Sequence, residues 1–292
     1  MIGKIYGTGS YVPENYYDNH DIAKLVDTSD EWIRERTGIV RRHIVSEDTT
    51  VSMAVKAAKA ALENGEVKAE EVDLILVATI TPNHIIPGMA CEVQKELGAV
   101  NAAGVCKTIL IIGSESLSNI VNWEDRGSCI LFGDGAGAVV VRAEDGEIKP
   151  CVMHSDGLKG EVLACESRHQ KNWQEKETLL SMDGKEVFKF AVKKVPEVIA
   201  ELLEKIAYTE KDIDWFILHQ ANQRIIESVA KRMKQDIEKF PINISEYGNT
   251  SSASIPILLD EMNRSGKLKR GQKLVFAGFG AGLSWGATLV EW

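Results

Sequence analysis

The feature that most constrains this fold is one order of elements written twice. Apolar runs of strand length alternate with helix-length amphipathic stretches along the whole chain, a pattern that favours α/β architecture. In the first half, Leu74-Ile75-Leu76-Val77-Ala78-Thr79 reads as a buried strand, Pro87 to Leu97 as a helix and Thr108 to Ile112 as a strand. Cys129 to Val141 then reads as a hairpin around Gly-Asp-Gly-Ala-Gly. The second half repeats the plan. Asp214 to Leu218 is a strand, Asn222 to Met233 a helix, Phe240 to Ile244 a strand and Ser251 to Met262 a helix. Lys273 to Ala277 is again a strand, Gly278 to Gly286 a hairpin turn and Ala287 to Val290 the returning strand. This repetition predicts an internal duplication into halves 1–146 and 147–292.

Laying one half on the other exposes a shortfall. About 40 residues separate Met233 from Lys273, enough for a further strand and helix. The corresponding stretch of the first half, Gly98 to Lys107, has about 10 and cannot hold both. The first half is therefore expected to be short of one strand–helix unit, an internal deletion near 103–104.

Composition narrows the function classes. A chain of 292 residues with 44% hydrophobic and 26% charged content is an ordinary globular protein with a sizeable core. Its net charge of −9 argues against a nucleic-acid partner. No apolar stretch reaches bilayer length, and Met1-Ile2-Gly3-Lys4-Ile5 enters a strand without a signal-peptide core, so a cytoplasmic location and no membrane partner are expected. Cys91, Cys106, Cys129, Cys151 and Cys165 form an odd set without CxxC spacing. Neither a disulfide framework nor a metal site is expected; most should be small buried apolar residues.

The chemistry is carried by His219-Gln220-Ala221-Asn222, which ends the apolar run Trp215 to Leu218, and by Gly248-Asn249-Thr250-Ser251-Ser252-Ala253 before a helix. A strand end delivering His219 and a loop delivering Asn249 can aim two neutral donors at one carbonyl, as oxyanion stabilisation requires.

These motifs join three others: Asp30 to Ile39 (DEWIRERTGI), Asp125-Arg126 leading to Phe132 to Ala138 (FGDGAGA), and Gly278 to Gly286 (GFGAGLSWG). In this order they resemble the β-ketoacyl-ACP synthase III family of thiolase-like condensing enzymes across nearly the whole chain. The resemblance implies a thiolase-like layered α-β-α-β-α fold from two similar halves, a homodimer, and transfer of an acyl group from acyl-CoA, acetyl-CoA above all, to malonyl-ACP at the start of fatty-acid synthesis. It implies His219 and Asn249 as catalytic donors, with the backbone of Phe279 and Gly280 as a second oxyanion hole. Trp32, Arg36, Arg126 and Asn222 would hold the CoA thioester, which is a substrate; no tightly bound cofactor is implied. Trp32 has a second reading, a surface indole amid helix ion pairs. Arg224, Lys231 and Lys234 on the helix after His219 would dock the acidic acyl carrier protein, or form an ordinary solvated face. The family's nucleophilic cysteine, in an Ala-Ala-Cys-Ser-Gly context at a helix start that would lower its pKa, falls in the missing unit. Cys106 leads into a strand and lacks such a helix, and Cys91 reads as core. Two functions follow: the condensing synthase, or a condensation-deficient paralogue that binds CoA or ACP or only decarboxylates malonyl thioesters.

Overall fold

Two four-stranded sheets form the frame of the molecule, and their strands pair by one scheme. The computed structural model describes residues 2–102, 106–146, 149–166 and 179–292. In the first sheet, β1 (Ile2–Tyr11) runs antiparallel to β6 (Gly135–Glu144). The latter is antiparallel to β5 (Thr108–Glu115), which pairs in parallel with β4 (Leu74–Ala78). In the second, β7 (Cys151–Ser155), β12 (Ser284–Glu291), β11 (Lys273–Gly280) and β10 (Trp215–Leu218) pair with the same polarities. Two small ribbons, β2 (Tyr16–Asp18) with β3 (Arg41–His43) and β8 (Leu163–Cys165) with β9 (Leu180–Met182), lie outside these sheets.

Helices cover the sheets. On one outer face lie α3 (Thr50–Asn64) and α4 (Met89–Leu97); α3 begins at a Thr49–Ser52 capping box and presents Ala54, Ala57, Ala58 and Ala61, small enough for close approach to β1 and β6. On the other outer face, α6 (Gly184–Lys205) and α7 (Gln223–Met233) close a core with Val195, Ile199, Phe216 and Val275. Between the sheets runs α9 (Ser254–Arg264), whose Leu258, Leu259 and Met262 pack with Ile5, Ile217 and Leu274. The short helices α1 (Asn19–Ile22), α2 (Asp30–Thr37), α5 (Arg126–Cys129) and α8 (Ile244–Tyr247) complete the chain. The result is the layered, thiolase-like α/β arrangement expected.

The central layer is asymmetric. Among the described residues α9 is its one long helix, and it comes from the second half. In the first sheet, Leu76 and Ile111 are register partners, yet they are 47% and 39% exposed. Apolar positions on parallel strands are ordinarily covered on both faces. Strand β4 also ends its sheet with no further partner among the described residues. The expected break near 103–104 itself lies outside the described residues.

Three element assignments differ from the sequence reading. The Gly-Asp-Gly-Ala-Gly run opens no hairpin: α5 and a turn precede it, and Gly135 begins β6, which is paired along both edges. Phe240 to Ile244 is not a strand. Pro241 has no N–H to give a ladder, Phe240 stacks on Phe216 at 4.8 Å as core filler, and Ile244 opens α8. The turn between β11 and β12 narrows to residues 281–283, because the two strands stay paired from Lys273–Glu291 to Gly280–Ser284.

Candidate active site

Strand β10 ends where its apolar run ends, and the next residue is His219. Its backbone N–H still donates to Ala277 O at 3.0 Å, so the parallel pairing with β11 sets where the ring emerges. Ring Nδ1 lies 2.6 Å from Ser254 Oγ, the first residue of α9. That hydroxyl also accepts the Gln220 N–H at 3.3 Å. When its own proton is given to Nδ1, the imidazole N–H sits on Nε2. Phe279 meets the ring edge-on at 5.4 Å, and burial pushes the imidazole pKa down to about 4. A neutral imidazole donating from Nε2 is therefore the form present near neutral pH.

Asn249 is placed from the other half. Its N–H donates to Leu131 O and its carbonyl accepts from Gly133 N–H, a parallel bridge with Phe132 just before β6. Gly248, at φ 67° and ψ −162°, makes the corner; a Cβ there would stand 2.8 Å from Leu131 O. The Asn249 side chain is oriented by one bond: Oδ1 accepts the Ser251 N–H at 2.9 Å, which leaves the Nδ2 amide protons as donors.

His219 and Asn249 line a single cavity of about 1340 Å³. Phe279, Gly280 and Ala281 at the end of β11 line it too, as do Arg36 and Asn222. Trp32, half-buried on α2 and part of the lining, lies beneath two guanidinium groups, Arg126 at 4.8 Å and Arg36 at 5.7 Å from the ring centre. Helix α2 is fixed there by its Ser29 cap and by Gly38 at its end. Trp32, Arg36 and Arg126 thus sit together around one indole, an arrangement suited to stacking a base and facing phosphate.

Asn222 does something more local. Its Oδ1 caps α7 by accepting the Arg224 N–H, and its Nδ2 donates to Arg36 O at 3.1 Å, tying α7 to α2. Arg224 lines the cavity with its guanidinium over Phe188. Lys231 and Lys234 lie apart from the cavity, exposed at the far end of α7, where Lys234 forms the left-handed cap.

The cysteines correct an expectation. Cys91 is exposed on α4 rather than core, and Cys106, Cys151 and Cys165 are exposed as well. Cys129 is the buried one, and burial pushes its thiol up to about 11. Cys165 is the cysteine that lines the cavity among the described residues. Also among them, no group of three or more His, Cys, Asp or Glu side chains could hold a metal ion, and no helix is long and apolar enough to cross a membrane.

Two residues that bear on the site escaped the sequence reading: Ser254, hidden in the helix start that follows the Asn249 motif, and Glu115. The signal for Glu115 was a carboxylate closing the apolar run Thr108 to Gly113. It is 1% exposed, and burial raises its carboxyl pKa against the pull of hydrogen bonds from Thr81, Ile80, Ser252 and Thr79.

Models of the 3-oxoacyl-[acyl-carrier-protein] synthase III family match this chain at residues 97–157 and, as its C-terminal part, at 203–292. The β-ketoacyl-[acyl-carrier-protein] synthase III of Clostridium novyi (strain NT) is 46% identical over 319 positions, covering 99% of this chain and 98% of that one. The chain belongs to the β-ketoacyl-ACP synthase III family. The crystal structure of the 3-oxoacyl-ACP synthase III from Aquifex aeolicus VF5 superposes with a TM-score of 0.92 at 41% identity, over 99% of this chain and 100% of that one. A priming β-ketosynthase from the R1128 polyketide pathway gives 0.94 at 32% identity, over 99% and 96%. Synthase III relatives thus match from end to end, and the reading of a condensation-deficient paralogue draws no support from them.

Proposed function

We propose that this chain carries the β-ketoacyl-ACP synthase III reaction, with His219 and Asn249 handling the malonyl half. An acyl group passes from CoA to an enzyme thiol, releasing CoA. Malonyl-ACP then loses CO2, and the electrons of the broken C–C bond flow into an enolate whose oxygen accepts from His219 Nε2–H and Asn249 Nδ2–H. The resulting carbanion attacks the acyl thioester and expels the enzyme thiolate. The observation that carries this reading is the convergence of His219 and Asn249, each with its donor face assigned by a hydrogen bond, on one cavity that Trp32 also lines. Phe279 and Gly280 are read as a second backbone donor site, Trp32, Arg36 and Arg126 as the CoA clasp, and Arg224, Lys231 and Lys234 as the carrier-protein contact. A homodimer in the cytoplasm belongs to the same reading, on the family's account.

The acyl half needs a thiolate, and we place it on a strand–helix unit that this chain lacks near 103–104. Three observations support that placement. The alignment with the Clostridium novyi relative runs to 319 positions against 292 residues, so at least 27 positions have no counterpart here. The Leu76–Ile111 face beside β4 is uncovered. The cavity, lined on that side by Ile80, Pro82 and Ile85, exceeds the roughly 300–1,000 Å³ usual for a small-molecule site.

The test is to follow CO2 release from malonyl-ACP and 3-oxoacyl-ACP formation separately, with acetyl-CoA present, for the 292-residue chain and for the protein made from its own gene, whose intact mass is measured. The expected result is decarboxylation dependent on His219 and Asn249 in both. Condensation is expected where the mass exceeds 32.2 kDa by a strand and helix, about 25 to 30 residues. Condensation by the 292-residue chain, abolished by Cys106→Ala, would overturn the missing-unit reading. Decarboxylation indifferent to both residues would overturn the site.

A further inference from the structure

Glu115 ends β5 in the first half, yet its carboxylate serves the second. Oε1 lies 3.0 Å from Ser252 Oγ, whose single proton is shared with Ala78 O at 2.9 Å, and 3.4 Å from Ser251 Oγ. Oε2 accepts from Thr81 Oγ1 at 2.8 Å, Ile80 N–H at 3.1 Å and Thr79 Oγ1 at 3.2 Å. The buried carboxylate therefore contacts donors on two segments, one after β4 and one after Asn249, and Ser252 also reaches Ala78 O at the end of β4. Close backbone contact makes this reach possible: a Cβ on Gly113 would stand 2.2 Å from Ser252 O. Ser251 itself has φ 48°, a left-handed conformation that a non-glycine residue adopts at a cost. That same residue supplies the N–H that fixes Asn249 Oδ1.

We infer that Glu115 is a positioning residue for Asn249: by gripping Ser251 and Ser252 it holds the left-handed turn whose N–H keeps the Asn249 amide protons turned into the cavity. The inference rests on the reading of Asn249 as a donor to the malonyl thioester. Glu115 touches no substrate. It acts through the serine pair, and it makes the donor geometry of one half depend on a side chain of the other.

The test compares Glu115→Ala, Glu115→Gln, Ser252→Ala, Asn249→Ala and the Glu115→Ala/Asn249→Ala double variant. Each is checked for native near-UV circular dichroism and followed by malonyl-ACP decarboxylation. In parallel, the side-chain amide NMR signal of Asn249 is recorded in protein labelled at asparagine and assigned by its loss in Asn249→Ala. Glu115→Ala is expected to lower kcat about tenfold with KM for malonyl-ACP within about twofold, and to move the Asn249 signal. Glu115→Gln keeps an acceptor and is expected to restore kcat to within about threefold. The double variant is expected to match Asn249→Ala alone, because residues that act as one unit are not additive. An unmoved Asn249 signal in Glu115→Ala, or losses that multiply in the double variant, would overturn the inference. Should Glu115→Ala not fold, Ser252→Ala, which removes one grip and leaves the carboxylate, must shift the same signal. An Asn249→Ala variant with full decarboxylation rejects the catalytic reading of Asn249 and leaves the NMR arm to judge Glu115 by itself.

Discussion

Ser254 Oγ stands 2.6 Å from His219 Nδ1 while accepting the Gln220 N–H, so this buried hydroxyl, donating to Nδ1, selects the Nε2–H tautomer. Ser254→Ala removes that selection and leaves Nδ1 without its partner. Decarboxylation of malonyl-ACP should fall about tenfold, below the hundredfold or more lost with an oxyanion donor outright. Nitrogen NMR of the ring should show the Nε2–H form in the parent and a mixture in the variant. A single Nε2–H signal in both would remove Ser254 from this role.

The depressed imidazole pKa has a stability consequence. Folded His219 titrates near 4 and an unperturbed histidine near 6.5. Between those values the unfolded chain binds a proton that the folded chain does not, so stability rises with pH through this window and levels off above it. The contribution is at most about 3 kcal/mol. Urea midpoints of the parent should drop from pH 7 to pH 4.5 by more than those of His219→Asn; parallel curves would refute the assignment.

Gly248→Ala should destabilise the fold by about 1–3 kcal/mol, since its φ of 67° with ψ of −162° suits glycine alone and the added Cβ meets Leu131 O at 2.8 Å. It should also lower decarboxylation, because Asn249 is the next residue. A urea midpoint within error of the parent would show that the corner can relax.

Trp32→Ala and Arg126→Ala should raise KM for acyl-CoA, about tenfold for the indole, which lines the cavity beneath Arg126. Malonyl-ACP decarboxylation should stay within about twofold, since neither side chain is near His219 in the hydrogen-bond network. Loss of both activities together would mean that α2 had shifted.

Much of this is legible in the sequence. The apolar run ending at His219 places the imidazole at a strand end, and the Gly248 to Ala253 run before a helix marks the loop that delivers Asn249, because strand and helix termination are local properties. The failures were also local readings overruled by distant ones. Phe240 to Ile244 has strand composition but fills the core against Phe216, and the glycines after Phe132 suggested a turn but lie in a strand paired on both edges. Cys91 was assigned to the core from helical spacing, and what covers the outer side of α4 is a matter of packing.

The sequence by itself determined the family, the order of elements and the two catalytic candidates, because motifs and periodicity are written in consecutive residues. Only the tertiary structure decided which way His219 and Asn249 donate. Those orientations depend on Ser254 and Ser251, and the second on Glu115, 137 positions before Ser252. The Asn249–Ser251 bond spans two residues, but the His219–Ser254 contact and the Glu115–Ser252 contact between the halves exist once the sheets have packed, and no local spacing encodes them.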